Sequence, residues 1–269
     1  MQHFLRILSF AAVMLVAPAT LQAVEASAPP RPNILFLLAD DWAWPHASCL
    51  GTPGIQTPTF DRLAREGVLF RNAHVAAPSC SPSRAAILTG QWPWRLEQGA
   101  NLHAFIPAKF AVYPDLLETS GYFTGLTGKG YGPGSNTGRP HNAAGQEFKS
   151  FNDFLTARPK DRPFCFWFGS KFPHRAYPPG SGVKAGLDPA KVSVPPYLAD
   201  NATVRGDVCD HYLAAQTFDH QCAGIIADLE QAGELDARLM AELKATGDPR
   251  VAGTELDRGP PARQRSPGL

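Results

Sequence analysis

Asn33-Ile34-Leu35-Phe36-Leu37-Leu38-Ala39-Asp40-Asp41 is an unbroken apolar run closed by two carboxylates. A strand with one wet face alternates polar and apolar side chains, whereas a strand buried on both faces, as in a parallel sheet, reads as continuous apolar sequence. The run therefore predicts an interior strand with Asp40 and Asp41 at its carboxyl end. Phe164-Cys165-Phe166-Trp167-Phe168 repeats the pattern and leads to His174 and Arg175. Tyr122 to Thr127 predicts a strand that delivers Lys129 into the loop Gly128-Lys129-Gly130-Tyr131-Gly132, and Val68-Leu69-Phe70 reads as a further short one.

Helices are expected between these strands. Thr57-Pro58 opens one through Phe60, Leu63 and Ala64, with Pro in the first turn and Gly67 as the stop. Ser83 to Thr89 reads as a second, entered from the turn Pro78-Ser79-Cys80-Ser81-Pro82, which puts Cys80 near a helix N-terminus. Tyr113 to Ser120 gives a third, stopped by Gly121. The stretch from Pro173 to Pro196, rich in Pro and Gly, is expected to be irregular. A long amphipathic helix is expected from His211 to Gln231, with Leu213, Phe218, Cys222, Ile225, Ile226 and Leu229 on its apolar face. Leu235 to Ala245 is another helical candidate, and a polar tail expected to be disordered begins at Gly247. Strands alternating with helices make an α/β chain, in which sites gather beyond the carboxyl ends of the strands.

With 269 residues the chain is long enough for one sizeable core. Lys and Arg total 25 against 24 Asp and Glu, which excludes the basic footprint of a nucleic-acid binder. Met1 to Ala26 carries Arg6, the apolar run Ile7 to Val16 and small residues at Ala23 and Ala26, the pattern of a cleaved secretory signal. That run is too short for stable membrane insertion, so a periplasmic or secreted protein is expected. Export places Cys49, Cys80, Cys165, Cys209 and Cys222 where disulfides form, and five is odd. If Cys80 is set apart, the remaining four allow three pairings, among which sequence does not choose.

The segments Arg31-Pro32-Asn33-Ile34-Leu35 with Asp40-Asp41, Thr57-Pro58 with Asp61-Arg62-Leu63-Ala64, and Cys80-Ser81-Pro82-Ser83-Arg84 followed by Ala85-Ala86-Ile87-Leu88-Thr89-Gly90 occur in this order. Together they resemble the sulfatase family of the alkaline-phosphatase-like superfamily, over 31–236. The Cys-x-Pro-Ser-Arg core is highly specific, whereas an Asp pair alone is weak. The resemblance implies a central, mostly parallel sheet flanked by helices. It divides the chain into a signal at 1–26, a partial N-terminal catalytic domain at 31–236, and a helix and tail at 237–269.

In that family the motif cysteine is oxidised by a formylglycine-generating maturation enzyme, and the hydrated aldehyde supplies one hydroxyl to attack sulfur and a second to expel sulfate, a form of covalent catalysis. Cys80 is the matching position. Asp40 and Asp41, with residue 80, match ligands of a divalent cation, usually calcium, whose preference is for hard oxygens. Arg84 matches the arginine that stabilises the hydrated aldehyde, and Lys129 the lysine that contacts both that group and the sulfate. His174 and Arg175, in Phe172-Pro173-His174-Arg175, resemble a substrate-binding Pro-His-Arg element whose histidine protonates the leaving group. These last features are similar to the heparan N-sulfatase-like branch and imply a sulfated carbohydrate, a sulfamate or another small sulfate ester as substrate.

The ordinary alternatives remain beside these roles: a buried thiol for Cys80, a strand-end turn for the Asp pair, a surface ion pair for Arg84. His46, His74 and His103 lie in no such motif and read as structural or surface residues. The sequence departs from the family pattern at Tyr131, where many relatives have His, and at Phe172, where they often have Asp. After Gly233-Glu234-Leu235-Asp236 no apolar strand ending in a second acid pair follows. Leu239 to Val251 resembles the C-terminal end of some bacterial members, as expected of a truncated or internally deleted chain. Three readings are left open: a sulfatase, a secreted non-catalytic remnant of one, and a phosphomonoester or phosphonate hydrolase of the same superfamily.

Overall fold

A computed structural model describes residues 31–234. The expected signal, the candidate helix from Leu235 and the tail lie outside the described residues. Three parallel strands, β1 (Ile34–Leu38), β2 (Phe123–Gly128) and β3 (Phe164–Gly169), form one sheet in the order β1-β3-β2. Leu38 and Gly128 both pair with Gly169, so all three strands end at the same level. The chain leaves the sheet there toward Asp40, Lys129 and His174.

The central strand explains its own sequence. Phe164 and Phe166 point into one cluster with Phe151, Phe154 and Leu229, while Trp167 points into another with Ala85, Leu88, Val112 and Leu126. Successive strand residues face opposite sides, so a strand covered on both faces has no position left for a polar side chain. Phe154, Phe164 and Phe166 are fully buried, and the Phe154 ring packs on Phe164 and Phe166 at centroid separations of 5.6 and 4.6 Å. Truncating one of them in such a core costs about 3–5 kcal/mol.

Helices α1 (Pro58–Glu66), α2 (Cys80–Thr89), α3 (Tyr113–Thr119), α4 (Phe151–Ala157), the short α5 (Ser181–Lys184) and the thirty-residue α6 (Ala202–Gln231) complete the described structure. No helix among the described residues is long and apolar enough to cross a membrane. Two buried carboxylates of α6 act as caps for other helices. Asp219 accepts from the amides of Thr59 and Phe60 at 3.0 and 2.8 Å, and Asp210 from those of Gly180 and Gly182 at 2.9 and 2.7 Å. Free N–H groups at a helix start need such acceptors, and the positive end of the helix dipole favours an anion.

Three expectations change, and one helix is added to them. Val68-Leu69-Phe70 is not a strand: no neighbouring strand takes its backbone groups, and Phe70 is exposed. Helix α4 was hidden in a Phe-rich stretch, although Ser150 caps it by accepting from the Asp153 amide at 3.1 Å. α6 begins nine residues before His211, at an Asn201 cap that accepts from the Val204 amide at 3.1 Å. α2 begins at Cys80 itself, with Ser79 as the extended residue before it. All five cysteines are unpaired, with Cys165, Cys209 and Cys222 buried.

Candidate active site

The level ends of the sheet bring four of the expected residues into direct contact. Lys129 sits immediately after β2 because two glycines allow it. Gly128 turns with φ of 80°, and a Cβ on Gly169 would lie 1.8 Å from the Lys129 carbonyl oxygen. The Lys129 amide donates to the Gly169 carbonyl at 2.6 Å, and its own carbonyl accepts from Trp167 Nε1 at 3.0 Å and from Arg84 at 2.6 Å. The lysine backbone is thus fixed by β3 on one side and α2 on the other.

Its side chain crosses to β1. Lys129 Nζ lies 2.5 Å from Asp40 Oδ2 and 3.1 Å from Cys80 Sγ, and Cys80 Sγ lies 3.6 Å from Asp40 Oδ1. Arg84, one turn beyond Cys80 on α2, donates to the carbonyls of Lys129 and Gly130 and pairs with Asp40 Oδ1 at 3.3 Å. Arg84 and Asp40 are both buried, 3% and 5% exposed. Burial lowers the Arg84 pKa from its ordinary value and the Asp40 charge opposes that shift; a guanidinium remains charged throughout. Cys80 is partly accessible, as the first residue of α2.

Asp41, His174 and Arg175 occupy the open side. Asp41 adopts a left-handed φ of 64°, which Asp tolerates better than most residues, and its Oδ2 lies 3.7 Å from His174 Nε2. The Asp40 amide donates to the Phe172 carbonyl at 2.9 Å, tying the end of β1 to the loop that carries His174. His174 Nδ1 contacts the Arg175 carbonyl oxygen. A carbonyl only accepts, so Nδ1 is the donor in this contact and Nε2 is the ring nitrogen turned to Asp41. Ligand atoms of Asp40, Cys80 and His174 all lie within 4.8 Å of one another. Arg175 is turned away: both its terminal nitrogens are bound by Asp207, at 2.7 and 2.6 Å, and its guanidinium covers the Tyr177 ring.

Residues 32–158 match the family model described as Sulfatase. They belong to the sulfatase family. The chain is 42% identical over 116 residues to N-acetylgalactosamine-6-sulfatase of Homo sapiens, covering 39% of this chain and 22% of that protein. It is 32% identical over 203 residues to N-acetylglucosamine-6-O-sulfatase of Bacteroides thetaiotaomicron, covering 64% of this chain and 36% of that one. The match therefore spans only about a fifth to a third of these relatives. Among solved structures, one holding D-glucosamine-2-N,6-O-disulfate as its substrate superposes with a TM-score of 0.61 at 20% identity, over 77% of this chain and 64% of that one. A phosphonate monoester hydrolase of Agrobacterium radiobacter gives 0.55 at 17%, over 76% and 60%. These two likenesses show the fold, the alkaline-phosphatase-like sheet and helices, and nothing finer.

Two features of this sulfatase domain were not legible beforehand. Tyr131, at the departure from the family pattern, is buried in the core with Leu126 and Trp167, and its amide donates to Asn142 Oδ1 at 2.8 Å. Beneath the His174 loop runs a polar chain: the Tyr177 hydroxyl donates to the Pro173 carbonyl at 2.7 Å and meets His211 Nδ1 at 3.0 Å, while His211 Nε2 meets His46 Nδ1 at 2.9 Å. Burial, with the neighbouring His46 second, pushes the His211 pKa down to about 4. Asp207 and His211 share a face of α6 by their i, i+4 spacing, which was the one available signal for this network.

Calcium takes six to eight oxygen ligands. Here Asp41 is exposed, and the grouped ligand atoms of Asp40, Cys80 and His174 offer one oxygen, one sulfur and one nitrogen. The described residues do not by themselves fit a calcium ion.

Proposed function

We propose that this site is the sulfate-ester-cleaving centre of an exported sulfatase, with Cys80 the residue converted to formylglycine. The observation that carries the reading is the contact of Cys80 Sγ with both Lys129 Nζ at 3.1 Å and Asp40 Oδ1 at 3.6 Å, inside the family's specific sequence motif. Formylglycine at residue 80 would supply a hydrated aldehyde as the nucleophile. Lys129 is the cation that can meet a sulfate oxygen beside residue 80, because its ammonium already lies between Asp40 and that position. Arg84 keeps the lysine loop and Asp40 in place through three hydrogen bonds, so its part is to orient. His174, with Nδ1–H fixed on a backbone carbonyl, offers Nε2 as the atom that holds and passes a proton to a departing sugar oxygen.

The substrate class follows from the relatives. Two enzymes named for the 6-sulfates of N-acetylgalactosamine and N-acetylglucosamine match this chain at 42% and 32% identity, so a sulfated amino sugar is the proposed substrate. A formylglycine-generating enzyme is the proposed maturation partner, and the segment from Met1 to Ala26 supports export to the periplasm or beyond. Turnover is expected to be slow, since the described residues offer few oxygen donors for metal-assisted chemistry.

The test is sulfate release from the 6-sulfates of both N-acetylhexosamines and from an aryl sulfate, with an aryl phosphate alongside, using protein made together with a maturation enzyme. Slow sulfate release that disappears in Cys80→Ala supports the reading. Preferential phosphate release assigns the site to the phosphoester branch. No release from protein whose residue 80 is converted makes it a non-catalytic remnant.

A further inference from the structure

We propose that in the unconverted chain Cys80, His174 and Asp40 form a binding site for a thiophilic divalent metal of the zinc class. Sulfur, imidazole nitrogen and a single carboxylate oxygen are the donor set that zinc and cobalt select and calcium does not. In a tetrahedral zinc site with bonds of about 2.0–2.3 Å, neighbouring ligand atoms lie roughly 3.5 Å apart. Cys80 Sγ and Asp40 Oδ1 are already 3.6 Å apart, and His174 joins them within 4.8 Å, so a small swing of one exposed imidazole closes the set.

The surroundings resemble those of a metal ligand shell. A ligating histidine almost always donates its other ring N–H to a carbonyl or carboxylate, which fixes the tautomer that leaves the ligating nitrogen free. His174 does this through Nδ1 and the Arg175 carbonyl. A ligating carboxylate is itself hydrogen-bonded, as Asp40 is by Arg84 at 3.3 Å. Lys129 Nζ is the competing cation; it sits at the end of a flexible stem, is partly accessible, and yields its contact with Asp40 Oδ2 when the metal enters. The thiol proton leaves to solvent as the sulfur–metal bond forms. His174 and Asp41 lie on the open side, which provides the entry path.

The consequence is a choice between two states of residue 80. Metal on the sulfur blocks its oxidation, and conversion to the aldehyde removes the sulfur and with it the site. This inference does not rest on sulfatase activity and is tested on protein that has none.

The experiment titrates Co²⁺, then Zn²⁺, into the full chain produced without any maturation enzyme. A thiolate-to-cobalt charge-transfer band in the near ultraviolet is expected, displaced by Zn²⁺ and unaffected by Ca²⁺. It should vanish in Cys80→Ser, persist in Cys49→Ser, and weaken in affinity about 100-fold in His174→Ala, a change at an exposed side chain that leaves folding intact. Absence of the band, its persistence in Cys80→Ser, or full affinity in His174→Ala overturns the proposal. Failure of the sulfatase reading would appear separately, as absent sulfate release from converted protein.

Discussion

The two sides of the site are built differently. On the sheet side, Asp40, Cys80, Arg84 and Lys129 hang from the level ends of β1 and β2 and from the first turns of α2, and Arg84 and Asp40 are almost wholly buried. On the open side, His174 and Arg175 stand on a loop, with side chains 44% and 61% exposed, and are supported from below by α6 through Asp207, Tyr177 and His211. The first region is fixed by backbone register and close-packed glycines. The second is suspended on side-chain hydrogen bonds, two of them from imidazoles. A rigid floor beneath an adjustable wall suits the proposed site, in which one group is placed closely while the rest of the ligand varies.

The sharpest way to break this contrast is to remove the buried cation. Arg84→Met leaves Asp40 in a low-dielectric setting with Lys129 as its remaining charged partner and frees two carbonyls. A loss of about 3–5 kcal/mol is expected, read from urea denaturation midpoints. A loss under about 1 kcal/mol would mean that the floor is not held by this pair.

The wall is expected to respond to pH. His211 is held neutral in the fold, with its pKa lowered to about 4 by burial and by His46, while an unfolded imidazole titrates near 6.5. Between those values the unfolded chain takes up a proton that the folded chain refuses. This contribution is absent above about pH 6.5 and becomes a destabilisation growing to about 3 kcal/mol as pH falls to 4. His211→Gln should flatten that part of the stability–pH curve relative to the parent. An unchanged slope would remove His211 from the account.

How much of this was legible in the sequence follows the same division. Continuous apolar runs announced β1 and β3, and residues at or just beyond strand ends, Asp40, Asp41 and Lys129, could be placed from strand position alone. Cys80 could be placed at a helix start by its flanking prolines. The wall could not be read, because its contacts join residues far apart in the chain: Tyr177 with His211, His46 with His211, and Arg175 with Asp207. No local periodicity encodes such pairs. Val68-Leu69-Phe70 misled for a related reason, since strand-forming composition makes a strand only where a partner edge is available.

The smallest stability effect is expected at Arg175. Its pairing with Asp207 is bidentate but exposed, and such pairs contribute about 0–1 kcal/mol. Arg175→Ala should therefore move the denaturation midpoint barely at all while leaving the Arg84-dependent stability intact. A cost comparable to that of Arg84→Met would erase the distinction between floor and wall.

The chemistry assigned to the floor depends on what residue 80 becomes. Mass spectrometry of the proteolytic peptide carrying residue 80, from protein made alongside a formylglycine-generating enzyme, tests this most directly. The expected result is a peptide whose mass corresponds to replacement of the Cys80 CH2SH group by CHO, with the aldehyde trapped by a hydrazide. A peptide carrying only unmodified Cys80, from cells in which a known substrate of the same maturation enzyme is converted, would contradict the account.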